Sequence, residues 1–295
     1  MIFISEQISA SILSLPTELV YLILDNLDDF TILCSIRNVC TRLNQIIDTY
    51  PRYQVLTTLD VDYDSIEDNG TDHIADVLRN NTTLTTLKLH SFYAAALQIQ
   101  HLADTLRNNT TLTTLDLTYN GIGDHGAQHI ADVLRNNKTL TTLTLSNNDI
   151  NEHGAKQLSD ALRNNTTLAT LDLSFNLLER GGTFYLANAL QDNTALTTLD
   201  LSFNCIDIRG ALDLANALQD NMTLTTLDLS FNVIDCYGAE HLANALRINK
   251  TLVTLNVDAN PIGGHGKEHL ADILRNRTTS TAEHDVHNET DDDSY

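Results

Sequence analysis

Residues 112–139 read LTTLDLTYNGIGDHGAQHIADVLRNNKT, and the same pattern of residue types recurs at a fixed interval along most of the chain. Each copy begins with L-x-x-L-x-L. The first leucines of the eight copies lie 28 residues apart: Leu56, Leu84, Leu112, Leu140, Leu168, Leu196, Leu224 and Leu252. A leucine pattern with a constant period of 20 to 30 residues predicts a solenoid, in which each repeat stacks on the next.

Each repeat has two halves with different periodicities. Leu115 and Leu117 alternate with polar residues, which predicts a strand with one buried face. Ile130, Ala131 and Leu134 form one apolar stripe of a helix, and just before it Gly126 is expected to allow a tight turn or a close backbone approach. An asparagine follows six of the strands, where its amide can satisfy buried backbone groups: Asn120, Asn148, Asn176, Asn204, Asn232 and Asn260.

The full repeat resembles a known family. The order L-x-x-L-x-L-x-x-N-x-I, then a glycine, then an L-A-x-x-L helix, as at residues 224–246, is similar to leucine-rich repeats of the ribonuclease-inhibitor type. The resemblance covers residues 55–277 as eight repeats. It implies an α/β solenoid shaped as a curved horseshoe, with a parallel sheet inside and helices outside.

The segment 15–54, preceded by an N-terminal segment 1–14, does not repeat. Pro16 can open a helix, and apolar stripes led by Leu19, Ile32 and Val39 predict three short helices. Three short helices in forty residues bury little apolar surface by themselves, so this unit needs a partner or a neighbour.

These helices carry the sequence features of a second family. The order of Leu15, Pro16, Glu18, Leu19, Ile23, Leu27, Asp28, Val39, Cys40 and Arg42 resembles the F-box. The F-box docks the Skp-type adaptor of a cullin–RING ubiquitin ligase. The resemblance implies these adaptor-binding residues: Leu15, Pro16, Glu18, Leu19, Ile23, Leu27 and Val39. Alternatively the helices cap the open end of the solenoid, and the two roles are compatible.

Two columns of residues point to a client-binding surface. Five of the eight repeats have Asp directly after the second leucine, and three residues later several repeats have an aromatic residue. Stacked carboxylates favour a basic partner, and half-exposed aromatic residues are typical contact anchors. The expected client-binding residues, on the concave face of the horseshoe, are Asp116, Asp172, Phe175, Asp200, Phe203, Asp228 and Phe231. Duplication is the alternative explanation, since repeats five to seven are nearly identical.

The charge composition indicates which classes of molecule this chain can bind. With 39 acidic and 17 basic residues the formal net charge is −22, which disfavours nucleic acid and favours a protein with a basic segment. The chain has no 18-residue apolar stretch, and its first residues lack a basic region, so neither a membrane span nor a signal peptide is expected. We expect a cytoplasmic or nuclear protein, in keeping with four cysteines without a C-x-x-C pair, and a disordered acidic tail at 278–295.

Catalytic chemistry is not indicated. The chain has no phosphate-binding loop, no H-E-x-x-H and no G-x-S-x-G, and no catalytic residue, metal or cofactor is expected. Glycosylation sequons recur within the repeats, and without an export signal we interpret them as loop residues that close each helix: Asn81, Asn109, Asn137, Asn165, Asn221 and Asn249.

The sequence therefore predicts a non-enzymatic substrate receptor of a ubiquitin ligase. Two alternatives remain open. The first is an acidic inhibitor or scaffold similar to ribonuclease inhibitor. The second is a regulator of a small GTPase that resembles the Ran GTPase-activating protein, whose family also joins such repeats to an acidic tail.

Overall fold

The structure is a computed structural model of the 295-residue chain. The residues it describes are 16–25, 46, 50–51, 55–62, 74–75, 78–79, 81–90, 96–264, 266–273 and 275.

One parallel sheet of eight strands runs through the described part of the chain, in sequence order from β1 to β8. The strands are β1 (Thr58–Asp62), β2 (Thr86–His90), β3 (Thr114–Asp116), β4 (Thr142–Thr144), β5 (Thr170–Asp172), β6 (Thr198–Asp200), β7 (Thr226–Asp228) and β8 (Thr254–Asn256). Each residue pairs with the one 28 positions later, as Leu143 does with Leu171. The sequence period is therefore the register of the sheet, which confirms the predicted solenoid.

A helix crosses back between most neighbouring strands. Helix α1 (Thr17–Leu24) precedes the sheet. The described helices between strands are α2 (Ala96–Leu106), α3 (Gly123–Asn136), α4 (Glu152–Leu162), α5 (Glu179–Asp192), α6 (Ile208–Asp220) and α7 (Cys236–Ile248). Helices α2 to α7 pack side by side against one face of the sheet.

The leucines of the strands and the apolar stripes of the helices form one continuous core. Leu115 and Leu117 are fully buried, as are Ala131 and Leu134 on α3. A single repeat could not bury these side chains, because each needs the repeats on both sides to cover it. Each fully buried leucine stabilises the fold by about 1.5–3 kcal/mol.

Gly126 lies inside α3 and not just before it, which corrects the position expected from the sequence. The helix begins at Gly123, one turn earlier. A Cβ atom on Gly126 would clash with the Cγ2 atom of Ile122, so the glycine permits close approach of the helix and the loop before it. Close packing is thus the reason for the glycine.

The asparagines that follow the strands form an internal ladder. The side-chain amide of Asn148 donates to the carbonyl of Leu117 in the preceding repeat at 2.8 Å. Its backbone N–H donates to Oδ1 of Asn176 in the next repeat at 3.1 Å. These asparagines are buried, so their amides satisfy backbone groups that water cannot reach.

A second asparagine ladder closes the helices. Oδ1 of Asn221 accepts from the backbone N–H groups of Thr223 and Leu224, and Nδ2 donates to the carbonyl of Leu190 at 2.7 Å. This ladder includes the sequon residues Asn81, Asn137, Asn165 and Asn249, all of them buried. The structure thus gives these asparagines the loop-closing role predicted from the sequence.

The N-terminal helix joins the same core. Val20 and Leu24 are buried with Ile46, Tyr50 and, from the first strand, Leu59. The hydroxyl of Tyr50 donates to the carboxylate of Asp25 at the end of α1. Helix α1 therefore covers the N-terminal end of the solenoid.

Candidate functional site

The client surface predicted from the sequence lies on the strand face opposite the core. Asp172, Asp200 and Asp228 end three neighbouring strands and are in register with one another. All three side chains are half-buried, whereas the leucines on either side of each are buried. The sheet therefore places the three carboxylates in one row.

These carboxylates also have a structural role that the sequence analysis missed. In each repeat Oδ1 accepts a hydrogen bond from the backbone N–H two residues later, at 2.8 Å from Ser174, Ser202 and Ser230. Asp116 makes the same bond with Thr118 at 3.0 Å. One oxygen of each Asp thus stabilises the turn after its strand, as Asp side chains often do.

The middle carboxylate of the row, Asp200, has a raised pKa. Burial is the main cause that raises the pKa of Asp200 above its ordinary value of 3.8. Hydrogen bonds from Ser202 oppose this effect, and the negative charges of Asp172 and Asp228 add to it. The row therefore concentrates negative charge in a partly desolvated place.

Counter-charges are distributed unevenly along the sheet. Near the N-terminal end, Asp60 lies 3.6 Å from Lys88 Nζ and 3.6 Å from Nε2 of His90. Within the described residues, no Lys or Arg forms an ion pair with Asp172, Asp200 or Asp228. In the described part of the chain, the three carboxylates of repeats five to seven thus differ from Asp60, which has a lysine close by.

The aromatic column of the same repeats forms a continuous stack. The ring of Phe203 lies between those of Phe175 and Phe231, with centroid distances of 3.9 and 4.1 Å and interplanar angles of 12° and 10°. About half of the Phe175 and Phe231 side chains remains exposed. Each aromatic pair stabilises the arrangement by about 0.5–1.5 kcal/mol beyond the area it buries.

All three phenylalanines have a left-handed backbone, with φ between 53° and 56°. Asn147 in repeat four has the same conformation, with φ of 55°. Because asparagine adopts this conformation more readily than phenylalanine, the turn itself does not require an aromatic residue.

A second apolar column beside the phenylalanines was missed by the sequence analysis. Leu177 and Val233 are each about half exposed, and Cys205, between them in the repeat order, is also exposed. Each stands two residues after a phenylalanine, with a buried asparagine in between. We call the six residues of the two columns the apolar rim: Phe175, Leu177, Phe203, Cys205, Phe231 and Val233. The sequence signal that could have revealed this column is the apolar residue two positions after each phenylalanine.

The predicted adaptor-binding residues fall partly within the described structure. Leu19 and Ile23 lie one turn apart on α1 and are 45% and 37% exposed, whereas Val20 and Leu24 are buried. Pro16 precedes the helix and is exposed. Leu15, Leu27 and Val39 lie outside the described residues, as does the side chain of Glu18.

The described residues also bear on metal binding and on membrane insertion. None of their His, Cys, Asp and Glu side chains form a group of three or more that could hold a metal ion. No helix among them is long and apolar enough to cross a membrane.

Known families match both the N-terminal segment and the repeats of the chain. The family described as F-box domain matches residues 12–54, which include α1. The family described as Leucine Rich repeat matches residues 108–131, 136–159, 192–215 and 220–243. The chain is therefore an F-box protein with leucine-rich repeats.

Solved structures that match part of the chain include "Leiomodin-1 Actin-Binding Site 2 (ABS2)", with 21% identity over 54% of this chain and 93% of the other, and a TM-score of 0.47. The "tropomodulin C-terminal domain" of Caenorhabditis elegans matches with 11% identity over 54% of this chain and 98% of the other, again with a TM-score of 0.47. No curated protein matches the sequence.

Proposed function

We propose that this chain is a substrate-recognition subunit of an SCF-type ubiquitin ligase. Its F-box docks the Skp-type adaptor, and its repeats bind a client protein. The combination of an F-box with leucine-rich repeats supports this role at the level of the family, whose members are typically adaptors and not enzymes.

The observation that carries the proposal is the division of α1 into two apolar faces. Val20 and Leu24 point into the core, while Leu19 and Ile23 leave a second stripe on the surface. A helix that served only as a cap would have no need for apolar residues on its outer face. The exposed stripe is therefore assigned to the adaptor.

The test is co-expression with the Skp adaptor followed by size-exclusion chromatography. The wild type should co-elute with the adaptor, and Leu19→Ser/Ile23→Ser should elute alone as a folded monomer. Met222→Ser/Val253→Ser is the matched control, since these side chains are about two-thirds exposed and lie outside the F-box match. The control should still co-elute.

An inhibitor or scaffold is the second candidate. The burial of Val20 and Leu24 against the solenoid favours it, because a helical unit that only caps the repeats would pack in the same way. If the wild type elutes alone at micromolar concentration, the adaptor role is wrong and this candidate replaces it. Any client would then be bound without transfer of ubiquitin.

A further inference from the structure

The apolar rim occupies three consecutive repeats and ends sharply on one side. In repeat four the corresponding positions are held by the polar residues Asn147 and Asp149. In repeat eight they are held by the small Ala259 and by Pro261. A contiguous exposed patch of large apolar side chains with a polar border is typical of a protein interaction surface.

The rim is not needed to build the solenoid. Asn147 makes the same left-handed turn as Phe203, and Asp149 has φ of 56°, as Cys205 has. Repeat four therefore forms the same turn as repeat six without an apolar side chain at either position. Stacking of the three rings with one another leaves about half of Phe175 and Phe231 exposed, as are Leu177 and Val233, and contact with another molecule would bury this apolar surface.

The negative charge beside the apolar rim indicates which kind of molecule binds there. The row of Asp172, Asp200 and Asp228 stands three residues before the rim phenylalanines and has no Lys or Arg ion pair among the described residues. A second copy of this chain, whose formal net charge is −22, would bring further negative charge to the row. A basic partner would instead gain electrostatic attraction as its apolar side chains are buried.

We propose that the apolar rim anchors an amphipathic, basic segment of the client protein. Large apolar side chains of this segment pack against the exposed ring edges and against Leu177 and Val233, while its Lys or Arg side chains face the row of carboxylates. The proposal rests on the proposed function that the repeats bind a client. It moves the apolar anchor from the concave face to the loops beyond the strands.

The experiment is selection of peptides from a random 16-residue phage library on the purified full-length chain. The affinities of the enriched peptides, made synthetically, are then measured by fluorescence anisotropy. The rim variant is Phe175→Asn/Phe203→Asn/Phe231→Asn, which copies Asn147. Tyr119→Asn is the control, because Tyr119 has the same backbone conformation outside the rim.

The expected peptides carry at least two large apolar residues and a net positive charge. The rim variant should weaken their binding by about tenfold or more, as loss of central aromatic contacts does, and Tyr119→Asn should leave it within about twofold. Leu177→Asp/Val233→Asp, which replaces the two exposed apolar side chains with charged ones, should weaken binding as well. Circular dichroism checks that each variant is folded.

Three outcomes would overturn the proposal: no enrichment of peptides, enrichment of acidic or wholly polar peptides, or unchanged affinity in both rim variants. Co-elution of the same variants with the Skp adaptor separates this result from the proposed function. If the chain binds the adaptor and the rim variants bind peptides as tightly as the wild type, only the proposed role of the apolar rim is wrong. If rim-dependent peptides bind and the adaptor does not, the anchor stands and the ligase role is wrong.

Discussion

The backbone N–H of Asn204 donates to Oδ1 of Asn232, the equivalent residue of the next repeat, at 2.9 Å. Both asparagines are buried, and this bond could not form within one repeat. Each repeat thus supplies the hydrogen-bond acceptors that its neighbour needs. The stability of the turns that support the apolar rim therefore depends on stacking.

Replacing Asn204 with alanine should destabilise the chain by about 2–4 kcal/mol, because it leaves buried backbone groups unsatisfied. Nδ2 of Asn204 donates to the carbonyls of Leu173 and Ser202 at 2.8 and 3.0 Å. Urea denaturation measures the change. Asn216→Ala, on the exposed face of α6, is the control and should change stability by less than about 0.5 kcal/mol. Equal effects of the two variants would contradict the ladder's role.

Gly238 should not tolerate alanine, although alanine is the better helix former. A Cβ atom there would lie 2.7 Å from Cγ2 of Ile234 and 3.2 Å from Cβ of Ala211 on the neighbouring helix. We expect Gly238→Ala to lower the melting temperature, at a cost of about 1–3 kcal/mol for overpacking.

Gly264→Ala is the matched control, because a Cβ atom at Gly264 would meet nothing within 4 Å. It should leave the melting temperature unchanged or raise it slightly, as expected from helix propensity. A stabilised Gly238→Ala would show that α6 and α7 are packed more loosely than the structure indicates.

The row of carboxylates should make stability depend on pH in a definite direction. Burial raises the pKa of Asp200 in the folded state above its ordinary value of 3.8, so the folded chain holds this proton more tightly than the unfolded chain. The contribution of Asp200 to the unfolding free energy therefore falls as the pH rises from about 3.8 through the raised pKa.

Asp200→Asn removes the loss of unfolding free energy that accompanies ionisation of Asp200. Asparagine can keep the turn, because Oδ1 of Asn256 accepts the equivalent hydrogen bond from the backbone N–H of Asp258 at 3.1 Å. The variant should thus gain stability relative to the wild type between pH 4 and pH 7, measured by urea denaturation at both values. Asp220→Asn, exposed at the end of α6, controls for the loss of one charge. If Asp200→Asn gained the same stability at pH 4 and at pH 7, ionisation of Asp200 would not be the cause of the gain.

The two faces of α1 should separate stability from binding. Leu24→Ala removes a buried side chain and should destabilise the chain by about 2–5 kcal/mol. Leu19→Ala removes an exposed one and should change stability by less than about 0.5 kcal/mol. Thermal denaturation of the full-length chain distinguishes them. Equal destabilisation would mean that Leu19 is also part of the core.

Much of this molecule was readable from the sequence. The 28-residue period gave the number and register of the strands, because a parallel ladder between identical repeats pairs equivalent residues. The alternation around Leu115 and Leu117 predicted the buried face, and the order from Pro16 to Ile23 predicted the first helix. The candidate site was found in part, as the Asp and Phe columns follow directly from the register.

Other features were decided only in three dimensions. The sequence could not show that Asp172 closes its own turn or that the rings of Phe175 and Phe203 stack. Nor could it show that Leu177 is exposed while the adjacent Leu178 is buried. The repeat determines these relationships only after stacking, because burial, charge and ring contact depend on atoms from neighbouring repeats. The sequence thus determined the architecture, and packing between repeats decided which of its residues remain free to bind.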